Sequence, residues 1–161
     1  MAAASAVKQG IKGGLYRNSG TYGSPTWVEV TLVREATVSM PWDMSEAGAR
    51  QTNSKLYAKT RVDPGITFDL RADDADTMYI AIFAAAVSQS SQIDLMALDG
   101  KIATEGAMGV RGKWIINQTG QAQPIDANIY TPFEAKPTWS SDGYPTSVIM
   151  GATSTPAFTA F

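Results

Sequence analysis

Apolar and polar residues alternate strictly along Val28-Glu29-Val30-Thr31-Leu32 and again along Ala36-Thr37-Val38-Ser39-Met40. That is the period of a strand with one buried face. With the charged pair Arg34-Glu35 between them, the two runs predict one long strand with a bend or bulge. Upstream, Leu15–Arg17 is strand-like, and Asn18, Ser19, Gly20, Gly23, Ser24 and Pro25 supply turn formers, so the region reads as a hairpin. Lys55–Val62 alternates again, with Leu56, Ala58, Thr60 and Val62 on one face. Asp63-Pro64-Gly65 is a turn and Ile66–Arg71 the returning strand. Residues 43–54, DMSEAGARQTNS, show no strand period and read as a long loop, a length that usually serves a purpose in a compact domain.

Helical spacing is found in one place. Met78, Ile82, Ala85 and Ala86, joined by Tyr79 and Phe83, form an apolar stripe ending near Ser88, with Asp73 or Asp74 as the expected cap and Asp76 in the first turn. Ile93–Leu98 is a short strand, residues 100–109 a Gly-rich loop, and Arg111–Gln118 and Ile125–Ala135 two further strands joined by TGQAQP. The predicted fold class is all-β: a sandwich or barrel of about seven strands with one flanking α-helix. Residues 1–12 read as an N-terminal arm, 13–139 as the sandwich domain, and 140–161 as a C-terminal arm or tail.

Composition narrows the function. The 161 residues are 44% apolar and 17% charged, with net charge −2, which argues for a globular chain and against a basic nucleic-acid-binding domain. Charge is uneven: eight cations against four carboxylates in residues 1–62, and five against eleven in residues 63–161. Such asymmetry favours attraction between copies. The sequence holds neither cysteine nor histidine, which excludes disulfides, thiol catalysis and a Ser-His-Asp triad. The longest apolar run, Met78–Val87, is half of what a membrane helix needs, so no membrane is expected as a partner.

Candidate chemistry is sparse. Asp73, Asp74 and Asp76 lack the spacing of a calcium loop and are better explained by helix capping. Asp94, Asp99 and Glu105 have nothing to fix a glycosidase-like separation. The glycines of GIKGG lack the Gly-Lys-Ser/Thr of a phosphate loop, and the lysines sit in polar surroundings unsuited to Ser-Lys catalysis. Trp27, Trp42, Trp114 and Trp139 suit packing better than ligand stacking. The expectation is a chain that is not an enzyme and takes no cofactor or metal.

Three blocks in order, GLYRNSGTYGSPTWVEV, LDGKIATEGAMGVRGKW and the strand closing at Lys136-Pro137-Thr138, resemble the tail tube (major tail) proteins of long-tailed bacteriophages over roughly residues 11–139. The resemblance implies inner sheets that join into a continuous barrel within a ring of six copies, and rings that stack into a conduit for genome delivery. It implies self-association, a tape-measure protein and viral DNA inside the lumen, tail terminator and tail-tip proteins at the ends, and a place in the virion tail after assembly in the host cytoplasm. A carbohydrate-binding or capsid-decorating sandwich and a secretion-system tube are the alternatives; fold alone does not separate the two kinds of tube.

Alternation then assigns faces within such a ring. Val28, Val30 and Leu32 are expected in the core, and Glu29 and Thr31 opposite them. Thr67 and Asp69 lie opposite Ile66, Phe68 and Leu70, and Asp126 and Asn128 lie opposite Ile125, Ala127 and Ile129. The expected lumen residues are therefore Glu29, Thr31, Thr67, Asp69, Asp126 and Asn128, presenting carboxylates that repel DNA phosphates. The cations Lys55, Lys59 and Arg61 are expected to pair with those carboxylates or to lie toward the ring junction. The 43–54 loop is expected to bridge rings through Asp43, Glu46, Arg50, Gln51 and Asn53.

Overall fold

The computed structural model describes residues 13–46, 57–120, 128–138 and 140–151, and the strand 156–159 by its backbone. The elements run β1 (Gly14–Asn18), β2 (Trp27–Glu29), β3 (Val33–Ser39), β4 (Trp42–Glu46), β5 (Tyr57–Val62), β6 (Gly65–Arg71), α1 (Thr77–Val87), β7 (Ile93–Leu98), β8 (Met108–Gln118), β9 (Tyr130–Pro137), β10 (Thr146–Met150) and β11 (Pro156–Thr159). The chain is all-β with one helix among the described residues. Seven strands form a continuous antiparallel path in the order β2-β1-β7-β8-β9-β6-β3, and β4 and β5 make a separate two-stranded ribbon.

The ends of that path are consecutive in sequence. Among the described residues β2 pairs only with β1 and β3 only with β6, yet they are joined by residues 30–32. Four Cα steps span at most about 15 Å, so the sheet must curl until its two ends are neighbours. The single long strand expected across 27–40 is thereby corrected: a turn at Thr31-Leu32 divides it, because each half pairs with a different end of the sheet. The core placement of Val28 is also corrected. Val28 is 36% exposed, while Val30 is buried and Leu32 packs against the core from its edge.

One face of the curled sheet carries the main core. Ile66, Phe68 and Leu70 of β6, Leu95 and Ala97 of β7, and Trp114 of β8 project into it, as alternation predicts. Phe68 stacks on Phe133 with centroids 5.6 Å apart. α1 lies over this face through Tyr79, Ile82 and Ala85. The fully buried Ile82 side chain contributes about 1.5–3 kcal/mol relative to exposure. The helix begins one cap later than expected: Asp76, not Asp73 or Asp74, accepts from the Met78 and Tyr79 amides at 2.7 and 3.0 Å. Asp73 instead accepts from the Ala75 amide in the turn before it.

A second cluster covers the opposite face of β1, β7 and β8. Tyr16, Met96, Leu98 and Ala107 meet Val148 and Met150 there. The sequence set 140–161 apart from the sandwich, but Thr146–Met150 is a strand of the main sheet. It pairs with Met108–Arg111 of β8, on the edge that β9 occupies further along. Glycines permit this crowding. A Cβ on Gly109 would sit 1.8 Å from the Ala97 carbonyl oxygen, and one on Gly112 would sit 2.8 Å from Pro145. β7 is consequently buried along its whole length, with both faces covered.

Candidate functional site

The largest departure from expectation is the β4–β5 ribbon. Residues 43–46 were read as loop; they are strand, paired from Trp42↔Val62 to Glu46↔Tyr57 with a bulge between Asp43 and Met44. Apart from half-buried Trp42 and Val62, every residue of both strands is exposed. The half-buried character expected for Ala58 and Thr60 is therefore corrected, and Met44 and Tyr57 stand 67% and 60% exposed. An isolated two-stranded ribbon is at best marginally stable in water, and among the described residues this one is left largely exposed on both faces. Lys59 lies 5.2 Å over the Trp42 ring, and Arg61 stands opposite Asp43 in the strand register. Arg50, Gln51, Asn53 and Lys55 fall outside the described residues.

A second surface lies on the side of β3, β6 and β9 turned away from the core. Thr67 stands between Thr37 and Glu134, and Asp69 between Glu35 and Pro132. These six residues line one shallow depression of about 330 Å³. Thr67 and Asp69 are thus brought together as expected. Sequence reading missed Glu35, Thr37 and Glu134, although the alternation of Glu35, Thr37 and Ser39 with Ala36, Val38 and Met40 carries the signal. Glu35 and Asp69 face each other directly across two strands, and like charges so placed destabilise the pair. Lys136 offsets the strip at one end, 3.5 Å from Glu134.

Of the remaining predicted lumen residues, Glu29, Thr31 and Asn128 do not line that depression. Glu29 accepts from Lys101, whose pKa is raised chiefly by that hydrogen bond. Thr31 sits in the turn after β2. Asn128 is exposed ahead of β9, and Asp126 falls outside the described residues.

A buried polar cluster went unnoticed in the sequence. Arg111, 2% exposed, holds Asp94 through Nε–Oδ1 at 3.2 Å and Nη2–Oδ2 at 2.8 Å. Nη2 also donates to the Tyr22 carbonyl at 2.7 Å, and the guanidinium lies 4.0 Å from the Tyr22 ring centroid and 4.8 Å from that of Trp27. Asn18 Nδ2 donates to Asp94 at 2.8 Å, while its Oδ1 accepts from the Gly20 and Thr26 amides. The cluster pins the 19–26 loop to the sheet. Burial pushes the Tyr22 hydroxyl pKa up, opposed by the Arg111 charge. A bidentate pair answered on all sides by hydrogen bonds is a structural arrangement. Asp94 is thus committed to Arg111, Asp76 caps α1, and no group of three or more metal-ligating side chains occurs among the described residues. None of the described helices is long and apolar enough to cross a membrane.

No protein-family model matches the chain, and no curated protein matches it. Solved structures do. A chain from the tail of an empty gene transfer agent particle, determined with C6 symmetry, superimposes with a TM-score of 0.61 at 12% identity, over 96% of this chain and 100% of that one. A chain from the virion of the native gene transfer agent particle gives 0.60 at 12% identity with the same coverage. The SPP1 tail tube gives 0.61 at 8% identity, over 80% of this chain and 74% of that one. At such identities the likeness is one of fold: the chain has the fold of tail and tail-tube subunits.

Proposed function

We propose that this chain is a structural subunit of a phage-type tail tube, without catalytic activity, whose copies close into rings of six and stack into a hollow conduit for DNA. The observation that carries the reading is the β4–β5 ribbon, exposed on both faces and bearing Met44 and Tyr57 at its surface. A monomeric protein gains nothing from such a ribbon, whereas a stacked ring uses it as a contact with the next ring. Asp43 and Glu46 then lie at the ring junction, in an ionic setting screened by salt. The shared fold with the C6-symmetric tail supports the ring, since among the described residues both ends of the curled sheet offer strands with one unpaired edge.

The strip of Glu35, Thr37, Thr67, Asp69 and Glu134 supports a lumen wall. It opposes like charges at some loss to the isolated subunit, a feature that suits a surface facing phosphates. In this reading the partners are other copies, a length-measuring protein and DNA within the channel, terminator and tip proteins at the tube ends, and the location is the virion tail. Cryo-electron microscopy of the purified chain tests the reading. Long hollow tubes with six-fold symmetry are expected; compact single particles at every concentration and salt would overturn it.

A further inference from the structure

α1 has no charged side. Its sequence, TMYIAIFAAAV, holds no ionisable residue except Tyr79, which is buried. Tyr79, Ile82 and Ala85 face the core, yet Ile80 and Val87 on the other side are 49% and 65% exposed. Thr77 and Ala84 are exposed as well, and with Ile80 and Val87 they recur at the helical spacing of one face. They form a continuous outer stripe. A helix that packs one side against its own subunit ordinarily turns charged residues outward, whereas one that is apolar all round is ordinarily covered on both sides. Just ahead of the stripe stand Asp73, 3.6 Å from Arg71, and exposed Asp74. This surface lies far from the root of the ribbon. The ribbon leaves the sheet between the end of β3 and the start of β6, while Asp73 and Asp74 follow the other end of β6, six Cα steps or about 20 Å away.

We propose that the outer stripe of α1 receives the β4–β5 ribbon of another copy of this chain, one in the adjacent ring. The inference rests on the tube reading and names the surface at which its rings meet. In rings stacked head to tail, the ribbon end of one copy faces the Asp73–Asp74 end of the next. Charge and polarity then match in order. The ribbon's carboxylates, Asp43 and Glu46, are on β4, which leaves β5 as its cationic edge. Arg61 is nearest the root, Lys59 follows with Met44 opposite it, and Tyr57 lies furthest out. A ribbon that enters tip first lays Tyr57 and Met44 along Ile80, Ala84 and Val87. It leaves Lys59 and Arg61 beside Asp73 and Asp74, where opposite charges fix the register. Apolar side chains that each subunit alone leaves in water cover one another. Because the two surfaces differ, the contact is heterologous and repeats from ring to ring without closing, as a tube requires.

The absence of cysteine makes a clean test. Two full-length chains are prepared, one with Tyr57→Cys and one with Ile80→Cys; both positions are exposed, so neither change disturbs the fold. The two are mixed, allowed to assemble and oxidised with diamide. A disulfide joining one chain of each kind is expected in tubes, and none in unassembled subunits, by intact mass and non-reducing electrophoresis. Tubes linked only between like chains, or not linked at all, overturn this inference and leave the tube reading standing. A second measurement uses charge. At low salt, Arg61→Glu is expected to raise the concentration needed for tube formation about tenfold, and adding Asp74→Arg to the same chain should bring it back near that of the unsubstituted chain. Failure of the second change to rescue the first overturns the inference. If the unsubstituted chain makes no tubes at all, the tube reading falls and this inference falls with it.

Discussion

Burying a guanidinium is expensive unless its charge and donors are answered, and Arg111 has Asp94, the Tyr22 carbonyl and two aromatic rings around it. Removing one partner leaves a buried charge behind. Arg111→Ala is expected to lower stability by about 3–5 kcal/mol in chemical denaturation. The paired replacement Asp94→Leu with Arg111→Met should recover much of that loss, because no uncompensated charge remains. A single-variant loss under about 1 kcal/mol would show that water reaches the site and that the cluster does not pin the 19–26 loop. Nothing in the sequence marked these two residues as partners. They are 17 positions apart and meet because β7 and β8 pair in a register that places Asp94 beside Lys113 and Met96 beside Arg111.

At the scale of elements, β6 and α1 were legible because each buries one face in its own subunit, which leaves a clean period of two or of 3.6. The ribbon was not. Trp42 and Met44 alternate with Asp43 and Ser45, but the run is short, a bulge interrupts its register, and few of its side chains are buried to enforce the pattern. The double substitution Met44→Lys and Tyr57→Ser separates folding from assembly. Both side chains are exposed, so subunit stability is expected to change by no more than about 0.5 kcal/mol. Tube formation, read by electron microscopy, should be lost. Normal tubes from this variant would remove the ribbon from the ring junction.

For the whole molecule, the decisive feature is that a seven-strand path ends where it nearly began, with β2 and β3 joined by a three-residue turn. The curl sets one face inward as core and leaves the Glu35–Asp69 strip on the outside of the subunit. If that strip lines a channel, Thr67→Lys repeats one cation around every ring. Tubes of this variant are expected to retain short DNA in a salt-sensitive manner, while unaltered tubes retain none. A tube reconstruction with Glu35, Asp69 and Glu134 pointing away from the channel would contradict the assignment.

The sequence by itself determined the all-β class, the helix α1, the inward set Ile66, Phe68 and Leu70, and the placing of Thr67 and Asp69 together on the other face. Those features follow from local periodicity, which one buried surface is enough to impose. Only the tertiary structure decided that residues 27–40 are two strands at opposite ends of a sheet, that Asp76 is the cap, and that residues 146–150 belong to the sheet. It also decided that Asp94 and Arg111 meet and that Val38 and Met40 of β3 stay partly exposed. Each of these depends on which strand edges find each other across long separations in the chain, and strand pairing between backbones leaves almost no local mark in the residues that make it.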